Sequence, residues 1–409
     1  MVSKKKLTEY LLTYVGADKA TKIGKLSDAE WEGLLHLATQ EGVAPLLYHR
    51  LNNASTQVPE AVLVGLRKAY HSNMFRNEQY YRELSEVLKQ LKRAGMDVIV
   101  LKGAYLAKTV YQFDALRVIG DIDLLVKKAD LAQAEKILFS MGYGPTERPS
   151  IEAQCVKYHQ LIIFEKKGAI SIEIHWTLSP PAFPFNITVD MLWEQARPFT
   201  VADIQVLSLS PEDLLFHLCF HLAYMNTLFG IRFLNDINNT IHCYQNQIDW
   251  ELLFDRATQW KAVKPVYLAL YLAKDWLAAE VPEKVLARFK PDDFNLEVLA
   301  NAKEMLSVDI NHALLSYNLA ALWIPKKPFR EKLSIFLKHT FPPPDEMADI
   351  YHIPANSLRV YYYYFVRLGY LLIRYPAKVW RMLRGDKEIH ALATQNNRIT
   401  LIKEWMEPK

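Results

Sequence analysis

Asp121 and Asp123 flank a single isoleucine in the stretch Gly120-Asp121-Ile122-Asp123-Leu124-Leu125-Val126. Read as a strand, the stretch puts both carboxylates on one face and Ile122 and Leu124 on the other, toward a core. Two carboxylates side by side repel, and burying them unpaired is costly. A hard cation is their natural partner. A third carboxylate lies on the run Ile170 to Trp176, where Ser171, Glu173 and His175 share one face. Ile170, Ile172, Ile174 and Trp176 share the other. Three carboxylates from two strands suit Mg²⁺, which prefers oxygen ligands and keeps positions open for phosphates. Two such ions about 3.5–4 Å apart clamp the attacking and leaving oxygens of a phosphoryl displacement. Taken singly, the aspartate pair or the glutamate is more often a solvated strand feature.

These residues need elements to hold them. Asp97-Val98-Ile99-Val100-Leu101 is a short β-branched apolar run, as in a buried strand. Lys102-Gly103-Ala104 follows, then a helix over about Tyr105 to Tyr111. Gly103 at that turn permits close backbone approach, and the N–H groups of the helix start are a ready anion site. Lys102 adds a point charge for a phosphate. Lys128 to Met141 reads as a helix ended by Gly142. After a polar loop with Pro145 and Pro149, Leu161 to Phe164, a Lys167-Gly168 turn and Ile170 to Trp176 form a hairpin. A helix-flanked sheet of mixed direction therefore occupies about residues 96–208.

Residues 1–95 read as helical, with Trp31, Leu34, Leu35 and Ala38 at helical spacing and Asn77 to Arg93 strongly amphipathic. Gly95 stands where such a helix ends. Residues 209–409 are again helical. Ser210 caps, Pro211 takes the first position, and Glu212 and Asp213 favour the first turn. His217 and His221 lie one turn apart, but no Glu follows the first and no third ligand is evident, so they read as core or cleft histidines rather than a zinc pair. Arg232 and Asp236, at i,i+4, are expected to pair. Alternatively this helix caps the sheet, and Asp236 or His221 touches a ligand.

Bulk composition sets limits. The 409 residues are 51% hydrophobic and 23% charged, as in a globular protein of two or three domains. A net charge of +4 is too small to argue for nucleic acid or membrane. Cys155, Cys219 and Cys243 form no metal spacing and no disulfide framework, which points to a reducing cytoplasm. Lys4-Lys5-Lys6 superficially resembles a signal peptide, but Glu9 interrupts the apolar stretch. No apolar run approaches the ~18 residues of a spanning helix. Leu358 to Arg384 is basic and aromatic with no acidic residue. It reads as a buried aromatic helix with snorkelling cations, or more sharply as a helix on a membrane surface or polyanion.

The order of these motifs resembles the nucleotidyltransferase superfamily with a DNA polymerase β-like palm. It resembles more closely the bacterial family of uncharacterised nucleotidyltransferases. The matching phrases are Leu101-Lys102-Gly103, Arg117 with Gly120-Asp121-Ile122-Asp123-Leu124-Leu125-Val126, and Glu173-Ile174-His175-Trp176. The flanks Gly42-Val43-Ala44-Pro45-Leu46-Leu47 and Arg232 with Asp236 match too. The resemblance implies an α+β fold, with a small mixed-sheet palm at 96–208 between N-terminal (1–95) and C-terminal (209–409) helical regions. It also implies transfer of an NMP group from an NTP, such as ATP, to an acceptor hydroxyl on a small molecule or protein, releasing pyrophosphate. Asp121, Asp123 and Glu173 would hold two Mg²⁺ ions, or Mn²⁺ in their place. Glu173 would also serve as base. Lys102 and Gly103 would meet the phosphates, and Arg117 the leaving pyrophosphate. His175, His221 and Asp236 are accessory candidates. The superfamily commonly has Gly-Ser at the first motif, whereas Ala104 follows Gly103 here, so phosphate binding rests on backbone N–H groups and the lysine. No template nucleic acid is expected, because no basic groove with interleaved aromatics is visible beside the palm. Two rivals use the same residues: an inactive nucleotide-binding or scaffolding palm, and a metal-dependent phosphohydrolase.

Overall fold

The computed structural model describes residues 3–16, 26–52, 57–144, 150–228, 230–306, 357–374 and 387–408, with scattered positions between 330 and 351. The proline loop at 145–149, Pro354 and residues 375–384 of the basic segment lie outside them. Two compact units emerge: Met1–Asn295 with Met406–Lys409, and Leu296–Trp405.

In the first unit, helices α1 (Lys4–Val15), α2 (Asp28–Gln40), α3 (Ala44–Asn52) and α4 (Glu60–Arg93) precede the sheet. A capping box between Ser27 and Glu30 starts α2. The amphipathic stretch expected at Asn77–Arg93 is the second half of a 34-residue helix that begins behind Pro59. This helix does more than cover the sheet. Its buried Asn77 donates to the carbonyls of Asp114 (2.7 Å) and Arg117 (2.8 Å), and buried Asn73 to that of Ala115 (2.7 Å). These bonds satisfy the polar backbone of an irregular buried segment that no sheet partner would satisfy.

The sheet has five strands in the order β3-β2-β1-β5-β4. They are β1 (Ile99–Val100), β2 (Ile122–Leu125), β3 (Ile172–His175), β4 (Arg197–Val201) and β5 (Ile204–Ser208). β1 pairs antiparallel with β2 and parallel with β5; β2 and β3 are parallel, and β4 and β5 antiparallel. The architecture is thus an α+β mixed sheet with helices around it. The hairpin is present as antiparallel bridges, Phe164 to Ile172 and Gln160 to His175, around a turn closed by Ala169 N–H to Lys166 O at 3.0 Å. Ile122, Leu124, Ile172 and Ile174 are essentially fully buried on one face, as the alternation requires. Between the strands run α5 (Lys102–Thr109), α6 (Leu131–Ser140), α7 (Ile151–Lys157) and α8 (Val189–Glu194).

After the sheet come α9 (Pro211–Phe220), α10 (Ile231–Tyr244), α11 (Trp250–Gln259), α12 (Val263–Leu277) and α13 (Glu283–Phe289). The Ser210 hydroxyl accepts from Asp213 N–H at 3.1 Å, so α9 starts as expected. A π-turn over His221–Met225 ends it. The second unit contains α14 (Leu296–Leu306), α15 (Arg359–Arg374) and most of α16 (Lys387–Met406). Among the described residues, no helix is long and apolar enough to cross a membrane.

Candidate active site

The parallel register of β2 and β3 sets Asp123 directly beside Glu173, and Leu125 beside His175. The carboxylates from two strands therefore meet as neighbours on one face. That face is not open: Asp123 and His175 are each only 1% exposed, whereas Asp121, just before β2, and Glu173 are half-buried. His175 Nε2 lies 2.9 Å from Asp123 Oδ1 and 3.4 Å from Glu173 Oε2. Lys102 Nζ donates to the same Asp123 oxygen at 2.9 Å. The other oxygen, Oδ2, is buried with no hydrogen-bond partner. Asp123, Glu173 and His175 offer donor atoms all within 4.8 Å of one another, a spacing that a metal ion can bridge. Asp121 stands beside this group.

The charges explain one another. Burial opposes ionisation of Asp123, but Lys102 and His175 outweigh it and hold the carboxyl well below its usual range. Burial likewise opposes a charge on Lys102 and on His175. Asp123 outweighs it in the first case, and hydrogen bonds to Asp123 and Glu173 in the second, so both are raised. Asp121 has no such donor. Burial and then the Asp123 charge push it up to about 6, more than the opposing charges of Lys102 and Arg232 hold it down.

Lys102 reaches the cluster from the strand-to-helix turn, where its backbone takes φ +39°, a left-handed conformation rare for a side-chain-bearing residue. Gly103 does not carry that conformation. A Cβ there would meet Arg117 Nη1 at 3.5 Å, an ordinary contact. Leu101 gives no side-chain cap, so the first N–H groups of α5 keep their anion-binding capacity. Tyr81 on α4 fixes this turn by donating to Ala104 O at 2.7 Å.

Arg117 is engaged elsewhere. Its Nε and Nη2 donate to the two oxygens of Asp236, at 2.8 and 2.7 Å, and Tyr111 donates to Oδ1 at 2.8 Å. The expected pairing of Asp236 with Arg232 does not form, because Arg117 and Tyr111, more than a hundred residues away, take both oxygens first. Arg232 is left with a long bond to Val118 O at 3.4 Å and a buried Nε without a partner. Burial and the neighbouring Arg117 lower it to about 10.

Two histidines outside the expected site complete its surroundings. The His159 ring centroid lies 5.2 Å from that of His175, and burial lowers it to about 3. Its place follows from the hairpin register, Gln160 opposite His175, which is the signal that reveals it. His217, at 3% exposure on α9, has an unpartnered Nδ1 and lies within electrostatic reach of Lys102 and Asp123. His221, one turn on, lies 6.0 Å away ring to ring. Burial, reinforced by Lys102, holds His217 well below its usual range, so it is neutral when folded. The unfolded chain takes up that proton near pH 6.5. Stability from this group is therefore complete above about pH 6.5 and is lost as pH falls, by up to about 1.4 kcal/mol per unit. Guanidinium melts at pH 7.0 and 5.5 are expected to show the loss, and to show it reduced in His217→Leu.

The chain belongs to the family described as uncharacterised nucleotidyltransferases, whose sequence profile matches residues 27–278. None of the curated proteins compared with it matches. Two solved structures show a loose likeness. One is the antibiotic-resistance factor ANT(2'')-Ia, with TM-score 0.30, 11% identity, and 46% of this chain and 91% of that one covered. The other is an antigenic nucleotidyltransferase-like protein from Paracoccidioides brasiliensis, with TM-score 0.33, 13% identity, and coverage of 52% and 97%.

Proposed function

We propose that this chain transfers an NMP group from an NTP to a hydroxyl or similar acceptor on a small molecule or protein, releasing pyrophosphate. The observation that carries the reading is the buried, unpartnered Oδ2 of Asp123 beside Glu173 and His175. A buried ionised oxygen without a donor is costly. A divalent cation answers that cost and also offsets the burial and carboxylate repulsion that raise Asp121.

Asp121, Asp123 and Glu173 would hold Mg²⁺ or Mn²⁺, one ion or two, since carboxylates suit both metals. When bound, such ions polarise phosphoryl oxygens and neutralise the charge of the leaving group. His175, protonated on Nε2, donates to Asp123 Oδ1 and so keeps Oδ2 free for the cation. The acceptor oxygen attacks the α-phosphorus as the bond to the bridging oxygen of the β-phosphate breaks. Glu173, half-buried at the edge of the cluster, takes the acceptor proton. Lys102 spends one of three ammonium donors on Asp123 and keeps two for phosphate oxygens, next to the N–H groups of α5. Arg232 adds one unsatisfied donor, its Nε, with its charge near Asp121. Arg117, anchored by Asp236, acts in this reading as a pin for the segment leading into β2.

Lys102→Met removes a charge-assisted phosphate contact worth about 1.5–3 kcal/mol. A drop in kcat/KM for the NTP of about 10- to 100-fold is expected, checked by steady-state assay. The reaction itself is tested by incubating the full chain with each α-labelled NTP, Mg²⁺ and a cell lysate. Label on a lysate component together with pyrophosphate release supports transfer. Free NMP without labelled acceptor indicates a phosphohydrolase. No reaction with any NTP indicates a nucleotide-binding or scaffolding protein, for which Lys102 already supplies the cation on Asp123.

A further inference from the structure

Two arginines converge on one carbonyl beside the phosphate turn, and only one of them is neutralised. Arg117 Nη1 donates to Val118 O, and Arg232 Nη1 reaches the same oxygen at 3.4 Å. Arg117 Nη1 also lies 3.5 Å from where a Cβ on Gly103 would stand, which links the pair to the turn that starts α5. Val118 comes three residues before Asp121. Asp236 spends both its oxygens on Arg117. Arg232 forms no ion pair among the described residues, and its Nε is buried without a partner. A cation kept beside another cation, with a buried donor unused, costs stability unless an anion comes to it.

The fold nevertheless makes room for this side chain. Gly42, at φ +67° in the turn between α2 and α3, lies against it. A Cβ there would stand 3.2 Å from Arg232 Nη1 and 3.3 Å from Cδ, tighter than ordinary van der Waals contact. Ile231 N–H donates to Glu41 Oε2 at 2.9 Å, which ties the start of α10 to the same turn. The Phe233 ring lies 4.9 Å from the guanidinium carbon of Arg232 and meets the His221 ring edge-on at 5.1 Å. The guanidinium is therefore positioned by the glycine turn, the aromatic ring and the Val118 carbonyl, yet not satisfied by them. Its planar fork of donors matches phosphate oxygens.

The resemblance gave the leaving pyrophosphate to Arg117, which the fold commits to Asp236 instead. We propose that Arg232 takes that place: its guanidinium binds the β- and γ-phosphates of the NTP and meets the charge of the departing pyrophosphate. The proposal rests on the transferase reading. As the bond from the α-phosphorus to the bridging oxygen breaks, the electron pair stays on that oxygen. The negative charge gained by the pyrophosphate is what Arg232 stabilises. The acceptor proton goes to Glu173, as above.

Isothermal titration of magnesium pyrophosphate into the full chain, with thermal melts of the same proteins, tests it. Arg232→Met keeps the length of the side chain and removes the fork. It is expected to weaken pyrophosphate binding at least about tenfold and to leave the melting temperature unchanged or raised. A residue with a merely structural role would lower the melting temperature. Arg232→Lys keeps the charge and loses the fork, and its affinity is expected to fall between the two. Pyrophosphate binding that is unchanged in Arg232→Met overturns the inference, and if wild type transfers NMP the transferase reading still stands. A loss of binding matched by a fall in melting temperature makes the arginine structural and equally overturns it. Wild type that binds neither pyrophosphate nor any NTP overturns both.

Discussion

Asp123→Asn is expected to lower nucleotidyl transfer by about three orders of magnitude or more. The substitution keeps the shape of the side chain and one acceptor for Lys102 and His175, which both bond to Oδ1. It removes the ionised Oδ2, the buried oxygen with no partner. Charge stabilisation of a phosphoryl transfer through a metal site is worth several kcal/mol, and each 1.36 kcal/mol is tenfold in rate. The variant also takes from Lys102 its nearest negative charge, leaving Asp121 and Glu173, so some loss of stability accompanies the loss of rate. Asp121→Asn is the informative companion. Asp121 is already pushed up to about 6 by burial and by Asp123, so neutralising it relieves repulsion in the metal-free protein and is expected to leave the melting temperature unchanged or raised. Steady-state assays and thermal melts of both variants check these expectations. Full activity in Asp123→Asn would remove Asp123 from the chemistry.

The second large effect concerns the fold. Asp236→Ala is expected to cost about 3–5 kcal/mol, because it leaves the Arg117 guanidinium buried and uncompensated. Arg117 is 4% and Asp236 0% exposed, and the bond between them is bidentate. For a unit of this size the loss corresponds to a fall in Tm of roughly 10 °C. The paired replacement Arg117→Met/Asp236→Leu is expected to lose much less, since it removes both charges and refills the volume. A denaturant series on wild type, the single variant and the pair measures both. If Asp236→Ala melts like wild type, the ion pair does not anchor the segment before β2.

The parts of the site that depend on period two were legible in the sequence. Ile122 and Leu124 against Asp123, and Ile172 and Ile174 against Glu173, gave two strands with faces assigned, and the observed register sets Asp123 beside Glu173. The start of α9 was legible for the same local reason: Ser210, Pro211 and the two acids act within one turn. What the sequence hid is long in range. Arg232 and Asp236 satisfy the i,i+4 rule, yet that rule is worth only a few tenths of a kcal/mol on a helix surface. A buried bidentate arginine 119 residues away outcompetes it. Gly103 is the residue type expected to be flexible in the phosphate turn, but the left-handed backbone falls on Lys102, whose side chain bonds to Asp123. Residue type marks where strain is easy, and tertiary contacts decide where it is placed. His159 was missed because it lies outside every strand and acts through its neighbour across the hairpin.

Asp123, with Glu173 and Asp121, is proposed as a divalent-cation site that serves a nucleotide. Isothermal titration of a non-hydrolysable NTP into the full chain, with Mg²⁺ and again with EDTA, tests it most directly. Binding to wild type is expected to need the metal and to be lost in Asp123→Asn. Equal binding in EDTA, or binding unchanged by the substitution, would contradict it.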